Sequence, residues 1–458
     1  MPLHSKFAVS LRAADRKALA AAMLLALATT PALSEEPAKV TPPGLPPGVD
    51  WTFNFDGSWG AFGFANSLYR NPKPDQPSGN LSDNWFEGSI KPALGGVYTF
   101  GNSSQLYGKL SAVGERTYSG SPTLVGGDAS SFNAEDLYVG WRSGNTVALG
   151  ENALDFTFGR TQYKIGHGLI LWDGSAEGGS RGGYWTNARK SWKVAAIGRL
   201  KAGGSTFEAF YLEKGELPES DKHNNLAGLN YEYRIGEDTT LGATYIEWNA
   251  DKNLAPQRDG LDVLNVRAYT APFPSLKGLS FEFEYVRESN GNALDSSAWN
   301  GLVAYKFNSP WQPKISYRYA FFQGDDPTTP TRNEAFDGLS TGFSDWGAWW
   351  QGEIAGEYFL SNSNLISHQL RLHLTPNETI GTGLIFYDFR IDQPKSLGPQ
   401  VTSESAAYEF DWYMDWSVTK NFVLSFVAAT AQPNKAVEQL TGRTDAFYYG
   451  MIYAAYSF

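Results

Sequence analysis

A two-residue alternation of apolar and polar side chains runs from residue 51 to the C-terminus, and it constrains the fold more than any other feature of the chain. In residues 278–289, Leu279, Phe281, Phe283 and Tyr285 share one face while Ser280, Glu282 and Glu284 share the other. The pattern returns in 312–322, where Ile315, Tyr317, Tyr319 and Phe321 oppose Lys314, Ser316 and Arg318. It returns again in 407–417, where Tyr408, Phe410, Trp412, Met414 and Trp416 oppose Glu409, Asp411, Tyr413 and Asp415. Successive side chains of a strand point to opposite sides, so each segment presents one greasy face and one wet face. Alternating segments of about ten residues separated by turns are the sequence signature of a transmembrane β-barrel. A soluble sandwich also alternates, but Trp and Tyr gathered at strand ends suit the two membrane–water interfaces.

The N-terminus points the same way. Lys6, Arg12, Arg16 and Lys17 precede an apolar stretch, 18–28, shorter than the roughly 20 residues a membrane-spanning helix needs. Small residues around Ala32 and Ser34 place a cleavage site near Ser34, so residues 1–34 read as a secretory signal peptide. Their loss removes a net +3 and takes the formal charge from -11 to -14, an acidic product. Residues 35–50 hold five prolines and no periodicity, and they read as an extended periplasmic leader. The barrel is expected over 51–458. The chain has no cysteine, which excludes disulfides and thiolate metal sites.

Nineteen segments alternate in this way, yet single-chain bacterial barrels close with an even number of strands. Short turns at 101–104, 202–204, 236–238, 309–311, 375–378 and 419–421 take turns with long connections, and that rhythm is kept if 349–360 is not a strand. The expectation is therefore an all-β, transmembrane, antiparallel up-and-down barrel of 18 strands, with 16 as the alternative. One long extracellular excursion covers 323–363. A barrel of this size encloses an aqueous channel. The last strand ends in the aromatic Phe458 and resembles the signal read by the outer-membrane assembly machinery, although Tyr453 stands where that signal usually has glycine.

The polar face supplies the candidate pore lining. Strand parity turns Arg142, Lys193, Arg199, Arg267, Lys306, Lys314, Arg318 and Arg371 inward, together with Asp411 and Asp415. Glu87, Glu115, Asp136, Glu208, Glu232, Glu282, Glu284 and Glu409 share that face, so the lumen is mixed. The segments around 267, 306, 314–318 and 371 form a cation-rich wall, and Glu409, Asp411 and Asp415 an acidic stripe further round. Each charge either meets solute or satisfies a neighbour across the ladder.

Several segments resemble the alginate export porins. They are FTFGRTQYKIGHGLILWDG (156–174), RGGYWTNARKSWKVAAIGRL (181–200), YAFFQGDDP (319–327) and SNLISHQLRLHLTPNETIGTGLIFYDF (363–389). Thr161 stands where that family has glutamine, His167 interrupts a glycine turn, and small residues are inserted between Trp172 and Tyr184. The resemblance implies an 18-stranded outer-membrane channel with a basic constriction that passes a polyuronate. Guanidinium suits such a lining because it pairs with carboxylates bidentately and stays charged. Arg160, Arg181 and Arg189 come from these segments, and either guide solute at the mouth or tie a loop down.

Other chemistry is thinly represented. His368 and His373 are five apart and so fall on opposite faces of a strand, which argues against a shared metal. Asp325 and Asp326, with Asp337, offer clustered oxygen ligands for calcium, against the commoner reading of solvated loop acids. No phosphate loop, zinc spacing or nucleophile elbow is present, and the acidity argues against nucleic acid. No cofactor and no catalysis are expected. Three functions stay open: export of a polyanionic polysaccharide, with periplasmic export partners; uptake of small polar solutes; and a barrel enzyme acting on outer-membrane lipid.

Overall fold

The computed structural model describes residues 48–67, 82–118, 128–342 and 351–458. The expected signal peptide and all but the last three residues of the expected leader lie outside them. Eighteen strands follow one another: β1 (Val49–Ala65), β2 (Asp83–Thr99), β3 (Gln105–Tyr118), β4 (Ala129–Arg142), β5 (Leu154–Thr161) and β6 (Trp192–Ala202). Next come β7 (Ser205–Glu213), β8 (Asn225–Ile235), β9 (Thr239–Asn249), β10 (Leu261–Thr270), β11 (Leu279–Ser289) and β12 (Asp295–Lys306). The last are β13 (Lys314–Phe322), β14 (Leu365–Asn377), β15 (Ile380–Ile391), β16 (Ser405–Thr419), β17 (Phe422–Pro433) and β18 (Phe447–Ser457). Each pairs antiparallel with its sequence neighbours, and β1 pairs with β18, so the sheet closes on itself. Closure satisfies every strand edge, which an apolar surround demands because lipid offers no hydrogen bonds.

The alternation sorts as the sequence requires. On β10, Leu261, Val263, Asn265 and Arg267 are buried while Asp262, Leu264 and Val266 are exposed. On β16, Glu409, Asp411 and Tyr413 are buried between exposed Tyr408, Phe410 and Trp412. Polar groups on the enclosed face and aromatics on the outer one are the arrangement of a barrel standing in lipid. The connection after β13 spans 323–364, and in its described part residues 351–360 form turns and one helical turn, Ala355–Tyr358, in place of a strand.

The short connections, such as 236–238 and 420–421, lie at one end with the strand termini at Val49 and Ser457. In barrels of this kind that end is periplasmic and the long loops are extracellular. Two irregularities matter later. Between Leu110 and Ala112 the β3–β4 register slips, so Glu135 and Asp136 together face Ser111. Such a bulge turns two consecutive side chains to one side, and both carboxylates are buried. The second lies between Gly159 and Thr161, where Arg160 drops out of the β5–β6 ladder.

Candidate functional site

The enclosed face carries a belt of paired charges. Lys109 Nζ lies 2.9 Å from Asp136. Arg199 Nε donates to Glu208 at 2.5 Å, which also accepts from Asn230 and from the hydroxyl of Tyr163. Arg318 Nη2 donates to Glu282 at 3.3 Å. Arg267 reaches furthest. From β10 its guanidinium crosses β9 and donates to Thr244, Asn230 and Glu232 at 2.8, 2.7 and 2.7 Å. It crosses at Gly242, where a Cβ would lie 2.6 Å from its Cζ, so glycine is required for close approach and not for a turn.

The other expected pore residues are dispersed. Arg371 donates to the Tyr413 hydroxyl at 2.6 Å, and Arg142 lies over the Tyr107 ring. Lys306 and Lys314 face each other across the β12–β13 ladder at its periplasmic end, both exposed, and neither has an ion-pair partner among the described residues. Asp415 accepts from Ser425 at 2.6 Å. Lys193 departs from its expected position. Its ammonium is half exposed and lies 3.9 Å from Glu213, which shares the outer face with Tyr211. Trp192 takes the inward place at this end of β6, buried with its indole N–H on the Tyr163 carbonyl.

Two extracellular connections, 162–191 and 323–364, the latter in its described part, turn into the barrel. Trp185 packs edge-on to Trp85 with centroids 5.4 Å apart and donates to the Tyr449 hydroxyl at 2.6 Å. Tyr358 packs on Phe64 and Phe447, inward residues of β1 and β18, and on Trp185. The two connections also join each other through a bridge between Leu171 and Ser340.

Wall carboxylates hold them there. Glu87 accepts the backbone N–H groups of Trp185 and Thr186 at 2.7 and 3.1 Å. Glu135 accepts those of Lys190 and Ser191 at 2.7 and 2.8 Å. Glu409 accepts those of Ile354 and Ala355 at 2.8 and 2.7 Å, and Asp411 accepts from Glu353 at 3.3 Å. Asp411 is thus inward, yet it lies under protein instead of against water, and is 2% exposed. Gly352 has φ +82, and a Cβ there would sit 2.3 Å from Glu409, so the chain approaches that carboxylate closely only with glycine in this place.

Two of the three arginines of the family-like segments, Arg189 and Arg181, hold these loops. Arg189, 2% exposed, lies 2.7 Å from Glu115 and 3.7 Å from Glu177. Burial, then the Glu115 charge, pushes the Glu177 carboxyl far above its ordinary range. Arg181 donates to the carbonyls of Ala176, Gly215 and Glu216. Arg160, freed from the ladder by the irregularity beside Gly159, has Glu135 and Asp136 among its charged neighbours. Asp325 accepts from the Glu334 amide, Asp326 caps Thr328, and Asp337 is held bidentately by Arg258. The three are therefore not gathered round a common point, and the described residues contain no group of three or more metal-ligating side chains. A cavity of about 320 Å³ remains between the two connections and the β17–β18 wall, lined among others by Trp185, Lys190, Glu353 and Glu357.

The sequence profile of the alginate export family matches residues 127–448. No curated protein matches. Among solved structures, Pseudomonas aeruginosa OpdL is similar with a TM-score of 0.57 at 12% identity, over 89% of this chain and 99% of that one. Pseudomonas aeruginosa OccK7 (OpdD) is similar at 0.55 and 10%, over 89% and 99%. The same organism's OpdK, solved with vanillate, is similar at 0.54 and 11%, over 89% and 98%. At these identities the likeness is one of fold.

Proposed function

We propose that this chain, which belongs to the alginate export family, exports an anionic exopolysaccharide of polyuronate type across the Gram-negative outer membrane, where its barrel forms a channel. Family and fold are of channel type and not of enzymes. The observation that carries the solute reading is an asymmetry in which lumen charges remain available. Glu87, Glu115, Glu135, Glu409 and Asp411 are occupied by loop amides or by Arg189. Lys306 and Lys314 keep exposed ammonium heads toward the periplasm. The periplasmic end of this wall thereby offers solute two exposed cations. Charges in a narrow passage focus their field on whatever enters. Asp415 on Ser425 is the acidic counterweight.

A second reading is uptake of small carboxylates. It draws on the two connections folded into the barrel, which narrow the passage, and on the similar OpdK having been solved with vanillate. Reconstitution of the mature chain in planar lipid bilayers separates the two. Export predicts anion preference and a current reduced by polyuronate added from the periplasmic side, the reduction weakening when Lys306→Met and Lys314→Met are combined. Cation preference with no polyuronate block rejects export. Block by vanillate-sized acids alone favours uptake.

A further inference from the structure

Four extracellular connections enclose a second cavity, of about 400 Å³. Its walls come from 162–191, 214–224, 250–260 and the described part of 323–364, which are bonded to one another around it. Gly215 N–H donates to Gly174 O at 2.7 Å and Ala176 N–H to Gly215 O at 2.9 Å. Trp172 N–H donates to Ser340 O at 2.9 Å. Arg258 clasps Asp337 with two bonds.

Most charges on this cavity are paired at close range. Asp173 is matched by Lys190 at 2.7 Å and Asp337 by Arg258. Glu115 is matched by Arg189, and Glu177, a second carboxylate at that one guanidinium, retains its proton because burial and Glu115 oppose its charge. Glu216, near Lys214, is occupied by the amides of Lys222 and Asn224. Lys214 has Asp173, Glu216 and Asp337 as charged neighbours but forms a close ion pair with none of them among the described residues. Its ammonium has three protons to donate, and its one hydrogen bond among the described residues goes to a neutral hydroxyl, Ser340 Oγ, at 2.8 Å. Burial, then Arg258, draws its pKa down to about 8, so it remains mostly charged at neutral pH but gains from an added anion. Around it the lining is rich in hydroxyl and amide groups, including Ser361, Ser363 and Asn187, and presents the Tyr184 ring.

We propose that this cavity is a binding subsite for a single sugar-acid residue, its carboxylate on the Lys214 ammonium, its hydroxyls on the serine and asparagine side chains and its ring face toward Tyr184. The subsite deepens the export reading and rests on it for the source of the ligand, the end of a polymer or a free monosaccharide. Its chemistry, one negative charge with several hydroxyls, is testable separately.

The test is equilibrium binding of D-glucuronate, D-glucose and an oligoglucuronate to the full mature chain in detergent micelles, read by calorimetry. Glucuronate is expected to bind at least about tenfold more tightly than glucose, a difference worth about 1.4 kcal/mol. Lys214→Met is expected to remove that preference, Lys214→Arg to retain most of it, and Lys222→Met, at an exposed loop position, to leave it unchanged. Affinity should fall as pH rises from 7 to 9, as the Lys214 proton is lost. Equal binding of glucose and glucuronate, or a preference untouched by Lys214→Met, overturns the subsite even if polyuronate blocks the pore. Binding of the oligomer without the monomer also overturns it. Glucuronate bound through Lys214 in a pore that polyuronate does not block upholds the subsite and tells against export.

Discussion

Arg189, for which the sequence allows either solute contact at the mouth or a loop tie, is buried beneath its own loop. It lies between Glu115 and Glu177 with almost no exposure, so no solute reaches it without displacing the 162–191 connection. Removing one partner of a buried ion pair leaves an uncompensated charge, at a cost of about 3–5 kcal/mol. Arg189→Met is therefore expected to loosen that connection while leaving the barrel ladder intact. Hydrogen exchange read by mass spectrometry should show amides in 174–191 exchanging at least a hundredfold faster, with strand amides unchanged. Uniform protection across both regions would mean that the arginine is not what holds the connection in place. Arg181, bonded to three carbonyl oxygens, performs a similar service, and its replacement should act on the same amides.

At the scale of elements, the strands were legible because one physical rule, lipid outside and water inside, is stamped on every second residue. The segment 349–360 imitates that alternation, and only the parity of a closed barrel together with loop rhythm removes it; the structure puts turns and a helical turn in its described part. The inward loops were not legible, because their grip on the wall is made by backbone N–H groups, which have no side-chain signature. Strand parity does not reach Glu135, because a bulge turns it inward beside Asp136, and parity turns Lys193 inward where the start of β6 places Trp192 instead. Lys214, Glu353 and Trp185 lie outside any strand period, and the glycine pair before Tyr184 and Trp185 was the available hint of a close approach. The carboxylate anchors yield a direct prediction. Each charged hydrogen bond contributes roughly 1.5–3 kcal/mol, and Glu87 and Glu409 each accept two amides. The double variant Glu87→Gln, Glu409→Gln should keep the circular dichroism of the barrel and raise single-channel conductance severalfold. An unchanged conductance would show that the inward connections do not restrict ion flow.

For the whole molecule, a rigid closed wall and two docked connections make separable equilibria, so pH can act on docking without touching the barrel. Glu353 lies in the docked segment, where burial and then the nearby Asp411 push its carboxyl up to about 8, against the usual carboxylate range in a solvated loop. Glu357, one helical turn on, is also raised well above its ordinary range, by burial, then Glu353 and Glu87. The docked form therefore holds protons that the undocked form releases. Docking is most favourable below the ordinary carboxylate pKa, weakens as pH rises toward 8, and is least favourable above it. The acids facing this pair are Glu87, Glu409 and Asp411, and Lys190, the cation lining the same cavity, is engaged by Asp173, so no free counter-charge reverses the sign. Conductance in planar bilayers at fixed ionic strength should accordingly be severalfold larger at pH 9 than at pH 6, and Glu353→Gln should flatten much of that rise. An increase toward acid instead would mean that protonation of the anchors Glu87 and Glu409, whose oxygens hold the loop amides, outweighs the protons carried by the loop itself.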